Sequence, residues 1–307
     1  MVVAYISHPD CLLHEMGSHH PEDPSRLNFI NDRLIASGLA MVLQQYDAPE
    51  ATREQILRAH DGEYLDRLLA ASPLDDLLWV DEDTAMNRYT TRAMLHAAGA
   101  GVMAVDMLMD GRASQVFCGV RPPGHHAERG RAMGFCFLNN IAIAALHALD
   151  AHGLERVAIA DFDVHHGNGT EDIVAGDQRI LFLSTFEHPS YPHSGITTST
   201  PNIVNVPLPA GTDGTSYREA VKTNWLPALE DFAPQMVLIS AGFDGHQADI
   251  MAHFNLREMD YTWITAKLKA VADHHAGGRV VSMLEGGYHL HALARAVEAH
   301  IKVFLDS

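Results

Sequence analysis

Short apolar runs alternate along this chain with longer helical patterns, and this alternation limits most strongly what it can fold into. Seven runs have the composition of buried strands: VVAYIS near the start, then 115–120, 156–162, 179–185, 203–208, 236–242 and 279–287. Amphipathic or alanine-rich stretches separate them, among them TRAMLHAAGAGVMAVDMLM, NNIAIAALHALDAHG, TSYREAVKTNWLPALEDF and HALARAVEAHIKVFL. Continuous apolar strands separated by helices predict a parallel sheet covered on both faces. We therefore expect an α/β fold with three layers, α/β/α, and an open, mostly parallel sheet.

Composition limits the number of domains and the classes of partner that this chain can have. No linker-like, low-complexity or repeated segment interrupts the pattern, so one domain over residues 1–307 is expected. Neither a signal peptide nor a run of roughly 18 apolar residues that could span a membrane is found. Cys11, Cys118 and Cys136 are far apart and odd in number, which argues against disulfides and favours a reducing, cytoplasmic location. The net charge of −18 argues against nucleic acid as a partner, and it fits either a cationic partner or simple solubility.

Four of the expected strands are followed directly by polar clusters. The clusters read RPPGHHAERG, DFDVHHGNGT, GFDGHQAD and EGGYHLH. In open parallel sheets the ligand crevice lies beyond the carboxyl ends of the strands. We therefore expect these four clusters to meet in one site.

The cluster DFDVHHGNGT has the residue types of a metal site. In an extended segment Asp161, Asp163 and His165 share one face, and an Asp-x-His pair offers carboxylate and imidazole ligands to a divalent metal. An isolated pair of this kind is more often a helix cap or a solvated loop, but this one follows a buried strand. Asp244, at the end of another strand, is the candidate third ligand. Two carboxylates and one imidazole leave a coordination position open, which is typical of a catalytic zinc site.

Groups for proton transfer lie in two other clusters. His125 and His126 could take a proton from water and hold one for a leaving group, with Asp161 and Asn168 as orienting partners. A histidine pair alone is weak support, since HH also occurs at 19–20, 165–166 and 274–275.

The last cluster offers a further proton donor. Tyr288 could donate its phenolic proton to a developing oxyanion, although it could equally be a packing residue in a turn. The preceding glycines, Gly286 and Gly287, would let the backbone approach closely.

Six motifs, in order along nearly the whole chain, resemble those of the histone deacetylase family of zinc amidohydrolases, which have the arginase/deacetylase fold. They are HHPEDPSRL, RPPGHHA, GFCFLNN, DFDVHHGNGT, SAGFD and EGGY. Asn168 in GNG, together with SAGFD and EGGY, is similar to the class II branch and its bacterial members.

The resemblance implies a role for each matching position. The implied zinc ligands are Asp163, His165 and Asp244. His126 would be the principal general base and acid, with Asn168 beside it where class I members have an aspartate, and His125 would be its partner, paired with Asp161. Tyr288 would stabilise the oxyanion. The implied substrate-binding residues are Gly134, Phe135, Tyr191, Met251 and Gly287. Tyr191 stands where the second aromatic wall is usually phenylalanine, and Met251 stands where polyamine-preferring members have a glutamate.

Further positions concern cations and product exit. The resemblance implies potassium near the zinc ion, held by Asp161, Asp163, His165, Ser184 and Thr185. A second potassium ion would use backbone near Val174, Asp177 and Ile180. Arg26 matches an internal arginine near the acetate exit, although an arginine at a helix start is equally often on the surface.

The sequence therefore predicts zinc-dependent hydrolysis of N-acetyl amides, with N-ε-acetyl-lysine in proteins or peptides as the leading substrate. Three alternatives stay open. The first is an acetylpolyamine or other small-amide hydrolase with the same machinery. The second is an arginase-like dimanganese ureohydrolase, and the third is a module that binds acetylated ligands without turnover.

Overall fold

The computed structural model describes residues 2–197 and 200–306. Its main sheet has eight strands, every neighbouring pair is parallel, and their order is β2-β1-β5-β10-β9-β6-β7-β8. These strands are β1 (Val3–Ser7), β2 (Gln44–Asp47), β5 (Gln115–Cys118), β6 (Val157–Asp161), β7 (Ile180–Glu187), β8 (Ile203–Leu208), β9 (Met236–Ala241) and β10 (Val280–Leu284). A separate antiparallel pair consists of β3 (Leu78–Trp79) and β4 (Ala85–Met86).

Helices cover the sheet in two groups that pack among themselves. One group is α2 (Arg53–Ile56), α4 (Thr90–Met109), α5 (Asn140–Asp150) and α6 (Asn168–Val174), and the other is α1 (Ser25–Ala36), α7 (Gly214–Phe232), α8 (Glu258–His275) and α9 (Leu290–Leu305). The short helix α3 (Gly62–Ala70) precedes β3. The predicted three-layer α/β fold with a parallel sheet is confirmed.

The four strands that carry the polar clusters are neighbours at the centre of the sheet. They are β5, β10, β9 and β6, and every residue in them is buried. The carboxyl ends of parallel neighbours lie at the same edge, and Asp161 at the end of β6 pairs in register with Ser240 of β9. The predicted meeting of the four clusters follows from this strand order.

Six of the seven predicted runs differ from the strand bounds by one to three residues at one end or both, and two of these differences bear on the site. The run 279–287 ends as a strand at Leu284, because the next residues are Glu285 and two glycines that turn toward the site. The run 156–162 ends at Asp161. No helix in the described ranges is both long and apolar enough to cross a membrane.

Candidate active site and metal centre

The chain turns as soon as β6 ends, and carboxylates hold the turn. The N–H of Asp163 donates to Asp161 Oδ1 at 3.1 Å, and the N–H of His165 donates to Asp163 Oδ1 at 2.8 Å. The prediction of an extended segment from Asp161 to His165 was therefore wrong. Short aspartate side chains bond readily to N–H groups two residues on, and this favours a turn over a strand.

The turn brings the three predicted metal ligands together. His165 Nδ1 lies 3.1 Å from Asp163 Oδ1 and 3.2 Å from Asp244 Oδ2. In the described part of the chain, this is the one potential metal-binding group of three side chains in which all three are buried. Two carboxylates and one imidazole, close together and out of bulk water, are a donor set that suits zinc and leaves a position for a substrate or water. The residues therefore fit the metal that the motif predicts.

Glycines make room for these carboxylates. A Cβ atom on Gly242 would lie 1.9 Å from Asp163 Oδ2, and one on Gly286 would lie 2.0 Å from Asp244 Oδ2. The backbone also orients both carboxylates, because the N–H of Gly286 donates to Asp163 Oδ2 at 2.8 Å and that of Val164 donates to Asp244 Oδ1 at 3.1 Å. Glycine in SAGFD and EGGY is thus required by the ligand geometry.

His126 is held in one tautomer by a chain of hydrogen bonds. Asn168 Nδ2 donates to Glu128 Oε1 at 2.8 Å, which leaves Asn168 Oδ1 to face His126 Nδ1 at 2.8 Å. Because an amide oxygen only accepts, Nδ1 of His126 carries the proton and Nε2 keeps its lone pair. Burial, followed by the charges of His125 and His165, keeps the pKa of His126 well below its ordinary value. The imidazole is therefore set up to accept a proton at Nε2.

The surroundings of His125 shift its pKa in the opposite direction from that of His126. Its Nδ1 lies 3.0 Å from Asp161 Oδ2, and its ring centroid lies 3.9 Å from that of His126. Burial lowers the pKa of His125, but the charges of Asp161 and Asp163 outweigh that effect and raise the pKa to about 10. The pKa values of the two adjacent imidazoles are therefore shifted in opposite directions, upward for His125 and downward for His126.

Tyr288 is held by its backbone and by an arginine. The N–H of Tyr288 donates to Asp249 Oδ2 at 2.7 Å, and the guanidinium of Arg26 lies 5.0 Å from the centre of the phenol ring. Loss of hydration raises the pKa of Tyr288 well above its ordinary value, so the phenol keeps the proton that it would donate. Arg26 is fully buried, which excludes the surface alternative, and it donates to Glu22 and to the Gly287 carbonyl.

A cavity of about 240 Å³ lies at these groups. Its lining residues are Asp83, His126, Gly134, Phe135, His165, Ser190, Tyr191, Met251 and Tyr288. The Tyr191 ring lies 5.1 Å from His126, and the Phe135 ring lies 5.9 Å from Tyr288, measured between centroids. Of the predicted substrate-binding residues, Gly287 is the one that is not among those lining the cavity; its carbonyl accepts from Arg26.

Phe135 reaches the cavity through an unusual backbone conformation. Gly134 and Phe135 both have positive φ, at 56° and 69°. Asp83 Oδ1 accepts the N–H of Gly134 at 3.1 Å, and Thr84 Oγ1 accepts the N–H of Phe135 at 2.9 Å. A non-glycine residue in this region is strained and persists where its surroundings fix it, as they do here.

Comparison with known proteins decides the family. The model of the histone deacetylase domain matches residues 20–304. The chain belongs to the histone deacetylase family. A histone deacetylase-like amidohydrolase of Pseudomonas aeruginosa is 35% identical over 303 residues, 91% of this chain and 79% of the relative. A probable deacetylase of Archaeoglobus fulgidus is 34% identical over 299 residues, 94% of this chain and 82% of the relative.

A solved structure shows the same fold. The crystal structure of the HDA15 HD domain superposes with a TM-score of 0.94 at 34% identity, covering 99% of this chain and 89% of that one. The fold is therefore that of the histone deacetylase domain. Because the chain belongs to this family and its relatives include deacetylases and amidohydrolases, it is a hydrolytic enzyme. The family is generally zinc-dependent, in agreement with the donor set described above.

The potassium positions implied by the family differ in what surrounds them. Near the zinc ligands, Ser184 Oγ pairs with His166 at 3.0 Å, whereas Thr185 Oγ1 is buried without a hydrogen-bond partner. At the second position, the carbonyl oxygens of Val174, Asp177 and Ile180 all lie within hydrogen-bond distance of Asn202 Nδ2, whose two hydrogens are shared among them. The first group of residues is compatible with a cation, and the second does not fit one.

Sequence reasoning missed residues that hold the site from outside the motifs. Asp83 fixes Gly134, Glu128 fixes Asn168, and Asp249 fixes the backbone at Tyr288. Glu128 and Asp249 stand in the polar clusters RPPGHHAERG and GFDGHQAD, although outside the six family motifs, so the clusters at the strand ends were a signal that could have found them. Asp83 lies in none of these clusters, and nothing in its local sequence separates it from the other carboxylates of an acidic chain.

Proposed function

We propose that this enzyme hydrolyses N-acetyl amides with a zinc ion, and that its substrate is N-ε-acetyl-lysine in proteins or peptides. The observation that carries the proposal is the buried group Asp163–His165–Asp244, with His165 lining a cavity of about 240 Å³. Phe135 and Tyr191 line the same cavity. Aromatic rings suit the methylene chain of an acylated lysine, and the polar groups around His165 suit its amide.

The residues of the chain divide the reaction between them. A zinc ion, when bound, supplies a Lewis acid that polarises a carbonyl group and makes water more acidic. His126 accepts the proton of the attacking water at Nε2, because Asn168 keeps Nδ1 protonated. The oxygen of that water bonds to the carbonyl carbon, and Tyr288 donates a hydrogen bond to the carbonyl oxygen as it becomes negative. His126 then gives the proton to the leaving nitrogen as the C–N bond breaks, and acetate and the free amine are released.

Replacing Asn168 by alanine tests the role given to His126. We expect kcat to fall roughly 10- to 100-fold, the range typical of partners that orient imidazoles at metal sites. KM should change much less, because Asn168 does not line the cavity. Steady-state kinetics on an acetyl-lysine peptide measure both constants. An unchanged kcat, or a loss confined to KM, would contradict the role.

Acetylpolyamine hydrolysis is the second candidate, and charge favours it. The net charge of −18 attracts cationic substrates, and Asp83 places a carboxylate on the cavity wall. Met251, which also lines the cavity, offers a protonated polyamine no partner at the position where the polyamine branch has a glutamate. We therefore keep acetyl-lysine as the leading substrate.

The first experiment compares kcat/KM on an acetyl-lysine peptide with kcat/KM on N-acetylputrescine, using zinc-loaded protein and a chelator control. We expect the peptide to be preferred and the chelator to abolish turnover of both substrates. Met251→Glu should shift the preference roughly fivefold toward the polyamine, which is the effect of about 1 kcal/mol from one partly exposed ion pair. A wild-type preference for the polyamine would overturn the assignment to acetyl-lysine but not the hydrolytic chemistry.

Three further assignments concern a cation, the domain organisation and the location of the protein. We propose one potassium ion held by Asp161, Asp163, His165, Ser184 and Thr185, supported by the buried Thr185 hydroxyl that lacks a partner. One catalytic domain over residues 1–307 is supported by the eight-stranded main sheet, whose four central strands all contribute to the site. A reducing, cytoplasmic location is supported by three free, buried cysteines.

A further inference from the structure

Asn202 occupies the point where the family's second potassium ion would sit. Its side-chain nitrogen Nδ2 lies 2.9 Å from the Val174 carbonyl oxygen, 3.2 Å from that of Asp177 and 2.9 Å from that of Ile180. These are ordinary lengths for N–H···O hydrogen bonds. One amide nitrogen is therefore within bonding distance of all three oxygens, and it fills the space that they share.

The orientation of the Asn202 amide is fixed. The N–H of Gly176 donates to Asn202 Oδ1 at 3.0 Å, so the oxygen faces that donor and the NH₂ group faces the three carbonyls. A flipped amide would set oxygen against three oxygens and NH₂ against an N–H, which is unfavourable at every contact.

The backbone and the burial of Asn202 keep the side chain in place. The carbonyl of Asn202 accepts the N–H of Phe182 at 2.9 Å, which anchors the residue beside β7. Asn202 is only 4% exposed, so water competes little for the three carbonyls. An amide held in this way has hydrogens, not lone pairs, to present to the carbonyls, and a cation there would meet the nitrogen and its hydrogens.

We infer that the Asn202 amide replaces the second potassium ion in this enzyme. The segment between Val174 and Ile180, which joins α6 to β7, is then held by a neutral side chain built into the fold. α6 begins at Asn168, the partner of His126, and β7 carries Ser184 and Thr185. The connection between these two parts of the site should therefore not depend on the potassium concentration.

Rubidium, which replaces potassium and scatters anomalously, tests this in crystals of the zinc-loaded full chain. We expect no anomalous peak at the carbonyls of Val174, Asp177 and Ile180 in the wild type. Asn202→Ala should bring a peak there, because it leaves three converging carbonyl oxygens without a donor. A wild-type peak at these carbonyls would overturn the inference. So would an empty site in Asn202→Ala, because the carbonyls would then not be a cation site that asparagine fills.

Thermal unfolding gives a second readout, in potassium chloride and in choline chloride at equal ionic strength. Asn202→Ala should lower Tm by about 3 °C or more in choline chloride, and potassium should restore at least about half of the loss. Asn255→Ala is the control: Asn255 Nδ2 also donates to a backbone carbonyl, that of Gly211 at 3.1 Å, and the residue lies away from both potassium positions. Asn255→Ala should keep the wild-type response to potassium. Equal responses of Asn202→Ala and the wild type would contradict the inference, and should Asn202→Ala fail to fold, the wild-type rubidium map still decides.

Discussion

Replacing Asp244 by asparagine is expected to remove zinc from the enzyme and to lower kcat/KM by roughly 10³-fold or more, beyond the 10- to 100-fold typical of groups that only support a metal ligand. Asp244 Oδ2 lies 3.2 Å from His165 Nδ1 in a buried group with one other carboxylate. The substitution keeps the shape of the side chain but halves the negative charge available to a divalent cation. An amide oxygen is a much weaker ligand for zinc than a carboxylate.

Metal content and turnover should be measured on the same samples after dialysis, by elemental analysis and by hydrolysis of an acetyl-lysine peptide. Asp260→Asn is the matched control. Asp260, in the first turn of α8, is also a buried carboxylate, but it pairs with Arg218 of α7. This substitution should cost stability and leave the zinc content at the wild-type level. If Asp244→Asn kept stoichiometric zinc and full turnover, the assignment of Asp244 as a ligand would be wrong.

The fold could be predicted because its central strands are buried on both faces. Such strands read as continuous apolar runs, and the strand order brings their ends together. The edge strand β2 (Gln44–Asp47) was missed, because it is mostly exposed and reads QQYD, without an apolar run. The helices α3 and α8 were not among the stretches recognised from the sequence, since neither of them is alanine-rich or strongly apolar.

The residues of the candidate site also fall into those that the sequence predicted and those that it did not. Asp163, His165 and Asp244 stand in motifs at strand ends, so one sequence was enough to place them side by side. Glu128 and Asn202 act through partners far along the chain or through backbone carbonyls. Carbonyl acceptors are the same for every residue type, and therefore leave no trace in the sequence.

Tyr288→Phe is expected to lower kcat roughly 100-fold or more, the scale found when one donor to a developing oxyanion is removed. The variant keeps the aromatic ring at position 288. This ring lies 5.9 Å from the Phe135 ring and packs on the Arg26 guanidinium, so the shape of the cavity is preserved. It also keeps the backbone bond to Asp249, which does not involve the side chain. The loss should therefore fall on kcat, with KM for an acetyl-lysine peptide changed little.

Tyr5→Phe is the matched control for this substitution. Tyr5 is also a buried phenol with a hydrogen bond, which it donates to Asn31 at 2.9 Å, but it lies in β1 and lines a different cavity. Loss of the Tyr5 hydroxyl should lower Tm and leave kcat nearly unchanged. If Tyr288→Phe retained the wild-type kcat, the phenol would not be the oxyanion donor. If the wild type and both variants bound the acetyl-lysine peptide without any turnover, the chain would be a binding module in spite of its complete set of catalytic side chains. A selective loss of kcat in Tyr288→Phe therefore separates an enzyme from a binding protein, because transition-state stabilisation is the one property that a binding protein does not need.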